Sequence, residues 1–257
     1  MRLSYDDDGT GTPVVLLHGL TATRRYVVMG SKSLERGGHR VVAPDARGHG
    51  ASPPGDRYDY GALADDLAEL LDELSLERAV LAGASMGGHT ALRLALAQPE
   101  RVAALVIVTP AYDPEAFPSG LERWDALSDG LRAGGVDGFL EAYGEPPVPE
   151  AFRETVKTVL RQRLGRHEHP AAVADALREI PRSRPFEAWA DLRGLTVPTT
   201  VVADRDEPDP EHPLAVGERY AAEIPGARLV VEEPGKSPIA WQGGQLSRVI
   251  AAAASGR

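Results

Sequence analysis

The stretch Val80-Leu81-Ala82-Gly83-Ala84-Ser85-Met86-Gly87-Gly88 constrains this chain more than any other. A short apolar run ends abruptly in Gly-x-Ser-x-Gly, and a helix-forming run rich in Ala and Leu follows. A strand that turns within a few residues into a helix holds its turn residue in a strained conformation, and the flanking positions must be small because backbone passes close by. The turn exposes the Ser85 hydroxyl at the carboxyl end of a strand, above the positive end of the next helix. That is a place for a nucleophile.

The surrounding pattern alternates strands and helices. Residues 1–12 are polar and carry turn signals at Asp6-Asp7-Asp8-Gly9 and Gly11, leaving room for one short edge strand. Pro13 to Leu17, Ala79 to Ala82 and Val102 to Val108 are continuously apolar, as in strands covered on both faces of a parallel sheet, and Arg40 to Ala43 reads as a further buried strand. Helices are predicted over Thr23 to Arg36, over Tyr58 to Leu74 with apolar residues at helical spacing, and over Gly88 to Ala97. From Ala111 to Leu192 no buried strand can be found; amphipathic stretches at 119–133, 136–143, 149–164 and 170–179 appear instead. Core patterning resumes with a strand at 198–203, a helix at 212–223, a strand at 227–231 and a last helix at 240–254. The expected fold is α/β, a doubly wound and mostly parallel sheet formed by 1–111 and 193–257. Residues 112–192 would form a helical cap over the sheet's carboxyl edge, where ligands of such sheets bind.

Composition removes several function classes. The net charge of −10 argues against nucleic acid or an anionic membrane surface as partner, leaving a small-molecule substrate. The chain has no cysteine, hence no disulfide, thiolate metal site or cysteine nucleophile. The glycines of the elbow lack dinucleotide spacing, and neither a cofactor nor a metal is expected. With no leader pattern and no apolar run of membrane-spanning length, a cytoplasmic protein is the default expectation.

Three segments in order, Leu17-His18-Gly19-Leu20, Asp45-x-Arg47-Gly48-His49-Gly50-Ala51-Ser52 and the elbow with its double glycine, resemble the α/β-hydrolase fold superfamily over nearly the whole chain. The likeness is to the branch that holds enol-lactonases, small-ester esterases and cofactor-free perhydrolases. Haloalkane dehalogenases, similar in shape, place Asp at the elbow where this chain has Ser85. The resemblance implies oxyanion donors at the N–H groups of Leu20 and Met86, which would stabilise charge developing on a carbonyl oxygen. His18 reads as a structural loop residue beside Gly19. Arg47, His49 and Ser52 read as loop-bracing residues, with Arg47 holding the turn through Asp45. His18, Gly19, Trp124, Tyr143 and Trp189 are the candidates for substrate contact. The aromatic ones, with Phe152, also read as cap core and cap–sheet contacts.

A serine nucleophile needs a base, and the base an orienting acid. In the family's order the acid follows the strand at 198–203, and spacing selects Asp206 over Asp204. Asp209 reads as a surface residue, and Asp113 is a second candidate acid. The family's histidine belongs in a Gly-His-Ser-Pro turn, but this chain reads Gly235-Lys236-Ser237-Pro238 and has no histidine after His212. Lys236 beside Asp206 would remain an ammonium, because the carboxylate favours the charged form more than partial burial disfavours it. It could donate to Ser85 Oγ or to an oxyanion, but could not accept a proton. Four readings follow: a serine hydrolase of a small ester, lactone or related carbonyl with an atypical Ser85-Asp206-Lys236 site; a lyase- or isomerase-like protein using Lys236; a silent small-molecule binder or inactivated variant; and a hydrolase whose base is His212 or His89. His89 reads as packed against the sheet, His212 as a surface residue, and His167 and His169 as part of a solvated face.

Overall fold

The computed structural model describes residues 1–207 and 209–256. Its seven strands are β1 (Tyr5–Asp8), β2 (Thr12–Leu17), β3 (His39–Pro44), β4 (Ala79–Ala84), β5 (Val102–Val108), β6 (Thr199–Ala203) and β7 (Arg228–Val231). They form one sheet in the order β1-β3-β2-β4-β5-β6-β7, with β1 antiparallel to β3 and every other pair parallel. The continuously apolar strands are those in the middle, as burial on both faces requires. Val15, Leu81, Leu105 and Val201 face one apolar cluster, and Val14, Val80, Val106 and Val202 face the other.

The helices are α1 (Ser33–Arg36), α2 (Tyr60–Glu73), α3 (Met86–Ala97), α4 (Leu121–Tyr143), α5 (Glu150–Leu164), α6 (Pro170–Glu179), α7 (Leu214–Glu223) and α8 (Gly243–Ala254). Helix α2 starts where Asp59 accepts from the Ala62 N–H at 2.8 Å, which satisfies one of the donors a helix start leaves free. The helix expected over Thr23 to Arg36 is instead a turn at Arg24–Tyr26 followed by the single-turn α1. Gly30, at φ 74°, interrupts it, and the Arg24 backbone and side chain are committed to Asp45.

Register places the site. Leu17 pairs with Gly83, Ala84 with Val108 and Val108 with Val202. The loops after β2, β4, β5 and β6 therefore leave one edge of the sheet side by side.

Helices α4–α6 lie between β5 and β6 in the chain and share an apolar cluster of Leu127, Leu131, Phe139, Leu160, Leu164, Val173 and Leu177. Helix α4 breaks at Gly135 (φ 60°, ψ −142°), matching the two stretches the sequence separates there. Ala172, Ala176 and Ile180 of this insertion pack with Tyr58, Tyr60, Leu63 and Met86, seating it beside the elbow. No helix among the described residues is long and apolar enough to cross a membrane.

Candidate active site

Ser85 joins β4 directly to α3 with φ 48° and ψ −113°, a region that non-glycine residues enter only at a cost. Its N–H donates to the Val108 carbonyl at 2.9 Å and its carbonyl accepts from the His89 N–H at 3.0 Å, so the turn is held from both sides. Glycine is required on either side: a Cβ at Gly83 would collide with the Gly87 backbone, and one at Gly87 with the Leu17 carbonyl. The Ser85 hydroxyl has no hydrogen-bond partner among the described residues.

The loop after β2 runs alongside the elbow, with the position of a Gly19 Cβ 3.8 Å from that of Ser85. The His18 ring is tied into the neighbouring loops. Its Nε2 accepts from the Ala46 N–H at 2.9 Å, so Nδ1 carries the proton and donates to the Gly19 carbonyl at 2.8 Å. Burial, with His49 alongside, holds its pKa well below the usual value. With both ring nitrogens taken, His18 has no hydrogen-bonding ring atom left for a substrate, and its ring serves the loop. The Gly19 carbonyl also accepts from the Ala22 N–H at 2.9 Å. In a trans peptide the N–H points opposite the carbonyl, so these two donors aim the Leu20 N–H away from His18. Neither Leu20 N–H nor the Met86 N–H at the start of α3 donates to another group among the described residues.

The Asp45 loop is braced, and Arg47 takes part by donating to the carbonyls of Arg57 and Ala62 at 3.0 and 3.1 Å, but it does not pair with Asp45. Asp45 takes Arg24 at 2.5 Å, and Arg47 pairs with Asp66 at 2.6 Å. His49 lies between the carbonyls of Arg47 and Leu20 at 2.9 and 2.7 Å, and Ser52 donates to the Asp45 carbonyl at 2.7 Å. His167, read from sequence as solvated, is drawn into the same seam. Its Nδ1 accepts from the Gly50 N–H at 2.9 Å, and its ring meets that of His49 edge-on with centroids 5.4 Å apart. Burial, followed by His49, lowers its pKa to about 4. His169 precedes α6, and its carbonyl accepts from the Ala172 N–H.

The loop after β6 departs most from expectation. Asp206 is exposed, and its Oδ1 accepts from the Leu214 N–H at 2.6 Å. It serves the start of α7, whose first N–H groups need an acceptor. Lys236 is also exposed and makes no hydrogen bond or ion pair with its side chain among the described residues. Asp206 and Lys236 therefore do not pair, which corrects the Ser85-Asp206-Lys236 constellation. Asp113 turns its carboxylate onto the Glu115 N–H, a local turn.

His212 and Asp209, both read as surface residues, come together instead. Nδ1 of His212 lies 2.9 and 3.0 Å from the two Asp209 oxygens, with side-chain exposures of 22% and 14%. Nε2 of His212 has no partner among the described residues. Burial acts to lower the His212 pKa, but Asp209, followed by Glu211 and Asp204, outweighs it and the pKa is raised. The insertion grips the loop next door: Tyr143 donates to Glu211 at 3.1 Å and Arg123 pairs with the same carboxylate.

His89 is packed in the core, as expected. Its Nδ1 is 3.2 Å from the Tyr60 hydroxyl, and Tyr112 and Tyr220 lie against its ring. Burial, with His212 as the second cause, lowers its pKa to about 3, so the two imidazoles disfavour each other's protonation. Asp204, fully buried just after β6, has no hydrogen-bond partner on either carboxylate oxygen among the described residues. Burial, then Asp209 and Glu232, raises its pKa to about 7.

Trp189 is misplaced as a contact candidate. It is 5% exposed, packed edge-on against Tyr220 and beside Phe186, with the Arg219 guanidinium over its ring. Trp124 and Tyr143 pack with Leu20 against the core of the insertion. A crevice of about 510 Å³ between α4 and α5 is lined by Glu145, Lys157 and Arg161 and by no elbow residue, so volume does not locate the site.

Comparison with known proteins agrees with this architecture. The pattern of the alpha/beta hydrolase fold family matches residues 12–243. The chain is 33% identical over 247 residues to a 2-hydroxy-6-oxononadienedioate/2-hydroxy-6-oxononatrienedioate hydrolase of Pseudomonas putida, covering 90% of this chain and 83% of that one. Among solved structures, a thermophilic esterase from Thermogutta terrifontis superposes with a TM-score of 0.76 at 29% identity, covering 97% of this chain and 90% of the esterase. The match to an sn-1-specific diacylglycerol lipase ABHD11 of Xenopus laevis, 36% identical over 123 residues, takes in 48% of this chain but spans only 39% of that relative. With the family pattern running from β2 to the start of α8, the chain belongs to the alpha/beta hydrolase fold family.

Proposed function

We propose that the chain is a serine hydrolase of a small carboxylic ester, lactone or related carbonyl compound, with Ser85 as nucleophile and 112–192 as the cap over its site. The observation that carries this reading is the left-handed backbone of Ser85 at a sheet edge shared with a half-buried His212–Asp209 pair. Such a turn is costly and persists where the surrounding structure over-determines it.

His212 is the base. Asp209 engages Nδ1, which fixes the tautomer and leaves the Nε2 lone pair to accept the Ser85 proton. The Ser85 oxygen attacks the carbonyl carbon, the carbonyl electrons move onto oxygen, and the N–H groups of Leu20 and Met86 receive the charge. Collapse of this intermediate breaks the bond to the leaving oxygen, which takes the proton from His212. An acyl group remains on Ser85. Water then repeats the sequence, giving its proton to His212 and releasing the acid and free Ser85. The chemistry needs no cofactor. Arg123 and Tyr143, by holding Glu211, fasten the loop that carries the base.

The test is turnover of a chromogenic butyrate ester by three variants. Ser85→Ala and His212→Gln are each expected to lower kcat by about 10³-fold or more, and Lys236→Met to stay within about threefold of the parent. Collapse of turnover in Lys236→Met with His212→Gln unaffected would reverse the assignment of the base.

A further inference from the structure

Three successive carbonyls of the loop after β2 each meet a different imidazole. His18 Nδ1 donates to Gly19 at 2.8 Å, His49 Nε2 lies 2.7 Å from the Leu20 oxygen, and His167 Nε2 lies 3.2 Å from the Thr21 oxygen. The rings follow one another in that order, with centroids 5.2 and 5.4 Å apart. They come from three places in the chain: just after β2, the loop after β3, and the connection between α5 and α6.

Backbone donors fix two of the tautomers. The Ala46 N–H occupies Nε2 of His18 and the Gly50 N–H occupies Nδ1 of His167, so each ring keeps its proton on the nitrogen that faces the loop. His49 differs in having a carbonyl at both nitrogens, Arg47 at 2.9 Å as well as Leu20 at 2.7 Å. Burial lowers its pKa against the pull of these two carbonyls, so at neutral pH the ring carries one proton and can serve only one of them. The shorter contact marks Leu20 as the acceptor.

The Gly19 carbonyl and the Leu20 N–H share one peptide plane, and the Leu20 carbonyl lies in the next. Holding both oxygens fixes the two planes that meet at the Leu20 Cα, and with them the direction of its free N–H. The Leu20 side chain packs into the insertion with Trp124 and Tyr143, so the backbone would follow any shift of those helices if its side chain alone were held. A displacement of about 1 Å at a reacting centre costs on the order of 10²-fold in rate.

We propose that His49 is a positioning residue: its Nε2–H, donated to the Leu20 carbonyl between the contacts made by His18 and His167, aims the Leu20 N–H at the oxyanion formed on attack by Ser85. This rests on the reading of Ser85 as the nucleophile.

Asn and Gln separate the two ring nitrogens, since the Asn amide reaches the place of Nδ1 and the Gln amide that of Nε2. His49→Asn is expected to lower kcat for the butyrate ester by about 10²-fold with KM within about threefold of the parent, and His49→Gln to keep about a fifth or more of the parent kcat. Equal loss in both variants would reduce His49 to loop packing and overturn the proposal. An unchanged kcat in His49→Asn, or the reverse order of the two variants, would overturn it as well. Nuclear magnetic resonance of Ser85→Ala gives a readout without turnover. The Leu20 amide cross-peak should shift when His49→Asn is added and stay in place with His49→Gln. That pattern in a chain whose parent hydrolyses no ester upholds the hold of His49 on Leu20 and defeats the hydrolase reading alone. A cross-peak that moves alike in both variants, or in neither, overturns the proposal.

Discussion

Nδ1 of His212 faces both carboxylate oxygens of Asp209, three residues back in the same loop, at 2.9 and 3.0 Å. A base must be neutral to accept a proton, and the raised pKa of His212 moves the acid limb of a kcat/KM profile up from the ordinary histidine value. Asp209→Asn removes the charge that outweighs burial. The limb should then move to lower pH, and the plateau should fall by about 10²- to 10⁴-fold as the imidazole loses its orienting partner. A limb that stays in place in Asp209→Asn would separate His212 from catalysis.

Asp204 is a cost to the fold at alkaline pH. Its folded pKa, near 7, lies above the unfolded value, so its favourable contribution is complete below the unfolded pKa and is lost as pH rises through about 7. Asp204→Asn keeps the shape and removes the charge. By calorimetry its Tm should exceed that of the parent by about 5 °C at pH 8.5, with a smaller difference at pH 5. Equal differences at both pH values would mean that the carboxylate is not ionising within the fold.

The histidines of the seam behave oppositely. His18, His49 and His167 all have folded pKa values below the unfolded one, so the unfolded chain binds more protons once pH falls below about 6.5. Their stabilisation is present above that pH and is lost toward about 4, the folded value of His167. His167→Gln should flatten the slope of unfolding free energy against pH between 6.5 and 4.5 by up to about 1.4 kcal/mol per unit, measured by urea titration. An unchanged slope would show that His167 titrates alike in both states.

Gly87 and Gly134 make a matched pair. A methyl at Gly87 meets the Leu17 carbonyl, a contact between two backbones with no flexible end to yield, whereas one at Gly134 meets nothing within 4 Å. Gly87→Ala should cost about 3 kcal/mol or more, or prevent folding, while Gly134→Ala should be neutral or slightly stabilising. Thermal unfolding of the two variants checks it.

The strands, the elbow and the insertion were legible because each rests on local pattern: continuous apolar runs, small residues around Ser85, and amphipathic spacing from 119 to 179. The helix expected at Thr23 to Arg36 was not, because apolar spacing does not show that Asp45, across the chain, claims Arg24. His167 illustrates the same limit: flanked by Arg166 and Glu168 it reads as surface, yet Gly50 approaches from another loop.

Sequence alone determined that a serine would stand in a strained strand–helix turn, because glycines at 83 and 87 and the apolar run before them admit little else. It also showed that no histidine follows His212 and that Lys236 stands in the turn Gly235-Lys236-Ser237-Pro238. Only tertiary structure decided which acid and base lie together. Asp206 is drawn to the free N–H of Leu214, Lys236 stays in water, and the loop after β6, gripped through Glu211 by the insertion, carries His212 and Asp209 into each other's reach. Such choices depend on competition among hydrogen-bond partners that only folding brings within 3 Å, and no local pattern records the outcome.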